Sequence, residues 1–197
     1  MYKRLTGFLL SAVIGLTACN RGHKFTAHEY DVVSGYVAAS FASQNGLEKP
    51  VKIVILNMTS SGDDDYPTPW EKMVETLRQK SPSLQQTTID GFRSANARQA
   101  FLVRGFRFPV EYEIVDESRL APIFKRDGGG WDAYYKQYPG AQGIATLSRV
   151  GFSADGAQAL FYIKNSCGGL CGSGWYLIME KRDGRWMIVK AIQKWVS

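Results

Sequence analysis

Two glutamates that share one face of an extended segment are the first candidates for chemistry in this sequence. Glu111 and Glu113 alternate within the segment 101–115, so in a strand their side chains point the same way, about 7 Å apart. Paired carboxylates at such a range act as general acid and base in glycoside hydrolysis. Asp116 and Glu117 form a second acidic pair. A solvated strand face produces the same pattern, and we favour that interpretation over a hydrolase.

The sequence lacks a complete set of residues for nucleophilic catalysis. Ser173 has glycine on both sides, but Cys171 occupies the place where the Gly-x-Ser-x-Gly nucleophile motif has its first glycine. Both histidines of the chain lie near its amino terminus. A serine–histidine pair would therefore require His28 to fold back onto this loop. We favour a flexible hairpin loop at Ser173, and the sequence identifies no particular catalytic residue.

The densest charge cluster consists of Asp63, Asp64 and Asp65, directly after a glycine. Carboxylates in a glycine-containing loop can bind Ca²⁺, but the spacing of an EF-hand loop is absent. A solvated loop ahead of a helix start explains the cluster better. We therefore predict neither a metal nor a cofactor.

Basic and aromatic side chains are the candidates for ligand binding. Arginines and phenylalanines interleave between residues 92 and 108, where Arg104 and Arg107 are the candidate ligand contacts. Trp131, Tyr134 and Tyr135 lie on a short aromatic helix that could stack on a sugar ring. Packing is the alternative for both groups, because arginine stems often cover buried aromatic rings.

The amino terminus carries a targeting signal. Two basic residues precede an apolar stretch from Leu5 to Leu16, which has the length of a secretory signal. It is shorter than the about 20 residues that a membrane-spanning helix needs. The residues Leu16-Thr17-Ala18-Cys19 resemble the lipobox of bacterial lipoproteins. The resemblance implies that residues 1–18 are removed and that Cys19 receives a diacylglyceryl group and usually a further acyl chain.

A lipid at Cys19 sets the expected location. Two or three acyl chains hold a protein stably on a membrane, whereas one chain does so only marginally. Position 20 is Asn rather than Asp, and Asp there favours the inner membrane in the Gram-negative lipoprotein pattern. The resemblance thus implies the periplasmic face of the outer membrane if the cell has one. An ordinary secretory signal beside an incidental cysteine is the alternative.

The expected mature chain is weakly basic. Removal of residues 1–18 leaves 179 residues, enough for one domain with a sizeable core. It also leaves 22 basic and 18 acidic side chains, a net charge of +4. The charge is scattered, and an exported protein rarely meets nucleic acid, so we expect no nucleic-acid binding.

Cys167 and Cys171 form a close pair in a glycine-rich stretch. In an oxidising compartment such a pair predicts a disulfide, which here would stiffen a hairpin loop. A metal site would need two further ligands. A redox site favours two intervening residues and a helix start rather than the three residues found here.

The elements that would position these residues indicate an α+β fold. Thr26 and Glu29 form a capping box at the start of a helix, and residues 51–58 are β-branched and apolar, as in a strand. Further helices are expected up to residue 138. Short turns join four expected strands at 144–152, 157–164, 175–182 and 186–196. The last turn is the two-residue hairpin turn Asp183-Gly184. The register that it sets places Lys181 beside Trp186, Ile178 opposite Val189 and Met179 opposite Ile188. We expect N-terminal helices packed on a C-terminal four-stranded antiparallel meander.

The C-terminal part, about seventy residues, resembles a pattern found in uncharacterised bacterial exported proteins. The matching stretches are YPGAQGIATLSRVGFSADGAQALFYI and GWYLIMEKRDGRWMIVKAIQKWVS. This resemblance implies no particular chemistry.

These observations together predict a lipidated cysteine and tether at residues 19–25, followed by one α+β domain at 26–197. We expect a non-enzymatic cell-envelope protein that is anchored to a membrane by its N-terminal lipid. Its domain would bind an envelope protein, a glycan or a small ligand, or serve a structural role. A hydrolase that uses paired carboxylates is the alternative.

Overall fold

The computed structural model describes residues 23–42, 52–61 and 67–197, and it confirms a mixed α+β fold. The predicted signal peptide, Cys19 and the Asp63–Asp65 cluster lie outside the described residues. The helices are α1 (Ala27–Ala42), α2 (Trp70–Lys80), α3 (Gln86–Asn96), α4 (Glu117–Phe124) and α5 (Gly130–Gln137). The strands are β1 (His23–Lys24), β2 (Lys52–Leu56), β3 (Ala100–Phe101), β4 (Glu111–Val115), β5 (Ala141–Leu147), β6 (Gly151–Phe152), β7 (Gln158–Ser166), β8 (Gly172–Arg182) and β9 (Arg185–Val196).

The main sheet has seven strands among the described residues, in the order β4-β2-β5-β7-β8-β9, with β6 also paired to β7. Strands β4, β2 and β5 are parallel to one another. From β5 onward, each neighbour along this order is antiparallel. Strands β1 and β3 form a separate parallel pair.

The sheet is therefore larger than the expected four-stranded meander. The expected strand 144–152 is split into β5 and β6, and the other three are present as β7, β8 and β9. Strands β2 and β4 extend the sheet beyond β5. Parallel neighbours require long crossover connections rather than tight turns. Here α2 and α3 lie between β2 and β4 in the chain, and α4 and α5 lie between β4 and β5. Such connections leave no turn signal that would indicate the pairing.

Helix α1 covers one face of the sheet. Its Val32 and Val33 pack with Ile55 of β2, Phe161 of β7 and Met179 of β8 in one buried cluster. Side chains alternate between the two faces of a strand, so the residues next to these point to the opposite face. The helix is thus held by apolar contacts to strands from several parts of the sheet.

The opposite face is covered by the other four helices. Apolar residues of α2 and α3 pack on β7 and β8, with Leu77 and Phe92 buried against Ile178. Residues of α4 and α5 pack on β2, where Tyr134 is buried near Val54. The sheet therefore lies between α1 and a layer of helices, and concave surfaces form along both edges of α1.

Candidate functional site

A groove runs along one flank of α1, between this helix and the hairpin formed by β8 and β9. It consists of two concavities of about 470 Å³ and about 400 Å³, both lined by Asp31, Lys181 and Trp186. We call this surface the α1–hairpin groove. Arg107, a candidate binding residue from the sequence, lines the first concavity, and His28 lines the second.

The start of α1 is fixed by the predicted capping box. The Thr26 backbone N–H donates to Glu29 Oε2 at 2.8 Å, and the Glu29 N–H donates to Thr26 Oγ1 at 3.3 Å. The same carboxylate accepts from the Val150 N–H at 3.1 Å. It also accepts from Arg149 Nε and Nη2, each at 3.0 Å. Glu29 is only 1% exposed, so its charge is balanced inside the protein rather than by water.

The backbone of Arg149 is also hydrogen-bonded to the side chain of Asn96 in α3. Its N–H donates to Asn96 Oδ1 at 2.9 Å, and its carbonyl accepts from Asn96 Nδ2 at 3.1 Å. Asn96 ends α3, and its Nδ2 also donates to the Phe92 carbonyl. Two-point binding of a guanidinium by a carboxylate is geometrically specific. The floor of the groove is thus rigidly connected to α3.

The Asp31–Arg107 pair forms one wall of the groove. Arg107 Nη2 lies 2.7 Å from Asp31 Oδ1, and both side chains are exposed. The Arg107 N–H donates to Ser34 Oγ at 3.0 Å, and this hydroxyl donates to the Tyr30 carbonyl. The backbone at Arg107 is therefore fixed to α1, while its guanidinium remains accessible to solvent.

The hairpin supplies the opposite wall. Its turn is Asp183-Gly184, as predicted, with φ of +49° and +76°, the geometry that matches the twist of the flanking strands. The predicted pairing of Lys181 with Trp186 is present, and Lys181 Nζ lies 5.9 Å from the centre of the indole ring. The turn thus sets an ammonium group beside an aromatic face.

One predicted pairing in this hairpin is wrong. Met179 pairs with Ile188 as expected, but Ile178 pairs with Lys190 instead of Val189. The register shifts between Ile178 and Met179, because a β-bulge inserts one extra residue into one strand. A bulge has no dependable signal in the local hydrophobic pattern.

The groove carries an excess of positive charge. Its cations are Arg107, Arg149, Lys181 and Arg185, and its carboxylates are Glu29 and Asp31. The two carboxylates pair with Arg149 and Arg107. Within residues 23–42, 52–61 and 67–197, no carboxylate pairs with Lys181 or Arg185. A ligand with an anionic group and a flat apolar face fits these two cations and the half-buried Trp186.

The other candidate arginine, Arg104, lies apart from the groove lining. Its guanidinium lies 5.7 Å from the centre of the Tyr112 ring, and the Tyr112 hydroxyl donates to the Phe106 carbonyl. Phe106 is buried. Arg104 therefore lies over the partly buried ring of Tyr112, which in turn contacts Phe106 at a centroid distance of 5.7 Å.

The aromatic residues of α5 contact one another and the sheet. Tyr134 is fully buried and donates from its hydroxyl to the Gly143 carbonyl at 2.8 Å. Burial raises the pKa of its hydroxyl above the ordinary value. Tyr135 donates to the Cys167 carbonyl at 2.8 Å, and Trp131 packs edge-on against Phe124. The structure brings Trp131, Tyr134 and Tyr135 together, with rings at mixed angles rather than as one flat platform.

Cys167 and Cys171 form the predicted disulfide, with Cα atoms 5.1 Å apart. It closes the loop between β7 and β8. The Cys167 N–H also donates to the Cys171 carbonyl at 3.0 Å. The loop is thus cross-linked twice, and the Tyr135 hydroxyl attaches it to α5.

The glutamate pair on β4 is bridged by a cation. Lys52 Nζ lies 3.3 Å from Glu111 Oε1 and 2.9 Å from Glu113 Oε2. The hydrogen bond to Glu113 is the main cause that raises the pKa of Lys52. Arg119 adds a second cation, 3.5 Å from Glu113. These carboxylates share a strand face as expected, and both are engaged in ion pairs.

Ser173 and His28 are not brought together. Ser173 lies at the start of β8, whereas the groove that His28 lines lies beside the end of that strand. The His28 ring packs against Phe152 at a centroid distance of 6.5 Å.

Among the described residues, no group of three or more His, Cys, Asp or Glu side chains is arranged to hold a metal ion. None of the helices in this part of the chain combines the length and the apolar character needed to cross a lipid bilayer.

No protein-family model, curated protein or solved structure gave a significant match to this chain.

Sequence reasoning missed three of the residues that form the groove. No local sequence pattern marks Asp31 as a groove residue, because its partner Arg107 lies 76 positions away. Gly35 and Arg149 were also unmarked, since their contacts to Trp186 and Glu29 depend on how α1 crosses the sheet. The Lys181–Trp186 contact was predictable because a two-residue turn fixes it locally.

Proposed function

We propose that this chain is a lipid-anchored, non-enzymatic binding protein of the bacterial cell envelope, and that its α1–hairpin groove binds an acidic carbohydrate. The anchor would be Cys19, placed by the Leu16–Cys19 lipobox a few residues before β1. This lipid would attach the chain to a membrane, which is the outer membrane where the cell has one. The groove would face envelope polymers in the same compartment.

The observation that carries the binding proposal is the presence of two cations and one indole in the lining of one concave surface. Lys181 and Arg185 supply positive charge that no carboxylate in the described part of the chain neutralises. Trp186 is half-buried, lies beside Lys181 and approaches Gly35 of α1. An indole face packs against the apolar face of a sugar ring, while ammonium and guanidinium groups attract a carboxylate or sulfate. The exposed Asp31 would accept hydrogen bonds from sugar hydroxyls.

Titration calorimetry with two trisaccharides tests this proposal. We expect tri-galacturonate, which carries three carboxylates, to bind the wild-type domain, and neutral maltotriose to bind at least about tenfold more weakly. The affinity for tri-galacturonate should fall with added salt, because exposed charges are screened.

A matched pair of double variants separates groove binding from general charge attraction. Lys181→Gln with Arg185→Gln should weaken tri-galacturonate binding about tenfold or more. Lys125→Gln with Lys190→Gln removes the same charge from exposed positions that do not line the groove. Equal losses in both double variants, or equal affinity for both sugars, would contradict the proposal.

We do not propose a hydrolase as a second function. Lys52 lies between Glu111 and Glu113 and bonds to both. The two carboxyl groups of a retaining or inverting glycosidase flank the scissile bond and leave room for the sugar between them. Here the Lys52 ammonium group occupies the space between the two carboxylates.

A further inference from the structure

A second concave surface lies on the other flank of α1, between the C-terminal half of this helix and the sheet. It has a volume of about 210 Å³ and is lined by residues of α1, β2, β5 and β7. We call it the α1–sheet cavity. Its wall residues from the helix are Val33, Tyr36, Val37, Ser40 and Phe41, none of which lines the α1–hairpin groove.

The walls of the α1–sheet cavity are mainly apolar. Ile53 of β2, Ala145 of β5 and Ile163 of β7 form its floor, and Phe108 closes one side. Protein interiors are packed closely, with few voids larger than a water molecule. An apolar cavity of about 150 Å³ stays dry and binds benzene. A cavity of this size and lining is therefore large enough for one to two aromatic rings.

The charges at the rim of this cavity are already paired. Lys52 lines it, but its ammonium group is bound by Glu111 and Glu113, and Arg119 contacts Glu113. Two cations and two carboxylates balance one another, so no charge remains for an ionic ligand. An ionised ligand would lose its hydration without gaining a partner, which is costly.

The polar atoms that remain at the cavity suit one hydrogen bond rather than several. Asn165 lines the cavity, and its Nδ2 already donates to the Gln142 carbonyl at 2.8 Å. Ser40 lines it too, and its hydroxyl is hydrogen-bonded to Tyr36. The amide oxygen of Asn165 can accept one further hydrogen bond.

We propose that the α1–sheet cavity binds a small neutral apolar molecule, of one to two aromatic rings, that carries at most one polar group. This site is independent of the acidic-carbohydrate groove, because the two use different flanks of α1 and different cavity walls. Its ligand differs from that of the groove in charge and in size.

Two small aromatic probes of matched shape test the chemistry of the site. At neutral pH, p-cresol is uncharged and p-toluate is a carboxylate of the same ring and methyl group. We expect calorimetry to detect binding of p-cresol to the wild-type domain and a loss of about tenfold or more for p-toluate. Failure of p-cresol to bind, or equal binding of p-toluate, would overturn the proposal.

A pair of alanine variants locates the binding in the cavity. Ala145→Ile adds three carbons to a side chain that lines it, whereas Ala159→Ile adds them to a fully buried position of the same sheet face that does not. Filling the cavity should raise Tm by about 2–4 °C and abolish p-cresol binding. Overpacking at Ala159 should lower Tm and leave the binding unchanged.

The same pair shows whether the protein's own chain fills the space. If Ala145→Ile lowers Tm as much as Ala159→Ile, the space is occupied in solution and the proposal is overturned. The smaller Ala145→Val provides a second test should the isoleucine variant fail to fold. It should weaken p-cresol binding without lowering Tm, and unchanged p-cresol affinity would place the ligand elsewhere and overturn the proposal.

Discussion

Glu29 and Arg149 form a two-point ion pair beneath the α1–hairpin groove, although 120 positions separate them in the chain. Glu29 also completes the capping box of α1, so one carboxylate both starts the helix and attaches it to the segment after β5. The pair is nearly excluded from water, with side-chain exposures of 1% for Glu29 and 16% for Arg149. This contact adds to the apolar packing that holds α1, whose two flanks form the concave surfaces.

We predict that Glu29→Gln lowers the free energy of unfolding by about 2–4 kcal/mol. The amide can retain some of the hydrogen bonds, but it leaves the Arg149 charge without its partner, and an uncompensated buried charge is strongly destabilising. Urea unfolding followed by circular dichroism measures the change.

A surface ion pair provides the control for that variant. Glu180→Gln removes the partner of Arg182, whose side chain is 66% exposed. Exposed pairs contribute about 0–1 kcal/mol, so this variant should unfold nearly like the wild type. A Glu29→Gln protein as stable as Glu180→Gln would show that the buried pair is not needed.

We predict that Gly35→Ala destabilises the protein although alanine is the better helix former. In an exposed helix this change gains about 1 kcal/mol. Here an added Cβ would lie 2.8 Å from the Trp186 Cβ and 3.3 Å from the Trp186 carbonyl oxygen. The helix and the β9 strand would have to separate, so ΔG of unfolding should fall in urea titrations. A gain in stability would mean that the hairpin moves freely relative to α1.

Stability should fall in alkaline solution because of buried tyrosines. Burial raises the pKa of Tyr134, Tyr30 and Tyr36 above the ordinary value of 10.0. The unfolded chain therefore ionises first, so the stabilisation is complete below about pH 10 and is lost as pH rises further. Urea unfolding at about pH 8 and about pH 11 should reveal this loss.

Tyr134→Phe separates the tyrosine titration from general alkaline damage. At about pH 8 it should cost about 1 kcal/mol, through the lost hydrogen bond to Gly143. The further decrease in its free energy of unfolding at about pH 11 should be smaller than that of the wild type, because one ionisable group is gone. If both proteins lose the same unfolding free energy at alkaline pH, ionisation of Tyr134 does not cause the loss.

Local features of this fold were predictable, and long-range ones were not. The capping box at Thr26, the turn at Asp183-Gly184 and the Cys167–Cys171 disulfide each join residues within four positions, so spacing alone determines them. The parallel pairing of β2 with β4 joins strands separated by two helices. Nothing in the pattern of either strand identifies its neighbour.

The groove shows the same division between local and long-range contacts. Arg107 was a candidate because of its type, but Asp31, its partner, was not, and the two meet only because α1 packs across the sheet. Glu29 was expected as a cap, and its contact with Arg149 was not. The concave surfaces therefore depend on how α1 crosses the sheet, which the sequence pattern does not determine.

We predict that the disulfide contributes about 2 kcal/mol or less to stability. Its ring contains only five residues, so it removes little entropy from the unfolded chain. The double variant Cys167→Ala with Cys171→Ala should lower ΔG of unfolding by that amount and leave tri-galacturonate affinity unchanged, since the loop lies at the far end of β8. Loss of carbohydrate binding would indicate that the ligand contacts the disulfide loop.

We predict that the chain is lipidated at Cys19 when it is produced in a bacterium. An alkyne-labelled fatty acid should be incorporated into the wild-type protein and not into Cys19→Ser, since only the thiol accepts the diacylglyceryl group in the lipoprotein pattern. Fatty-acid labelling is a better measure than membrane partitioning, because an uncleaved apolar signal segment can itself bind a membrane. Cys167→Ser with Cys171→Ser is the matched control and should label normally. Labelling of the Cys19→Ser chain would refute the anchor, and with it the proposed location on the membrane, while leaving the groove to be tested separately.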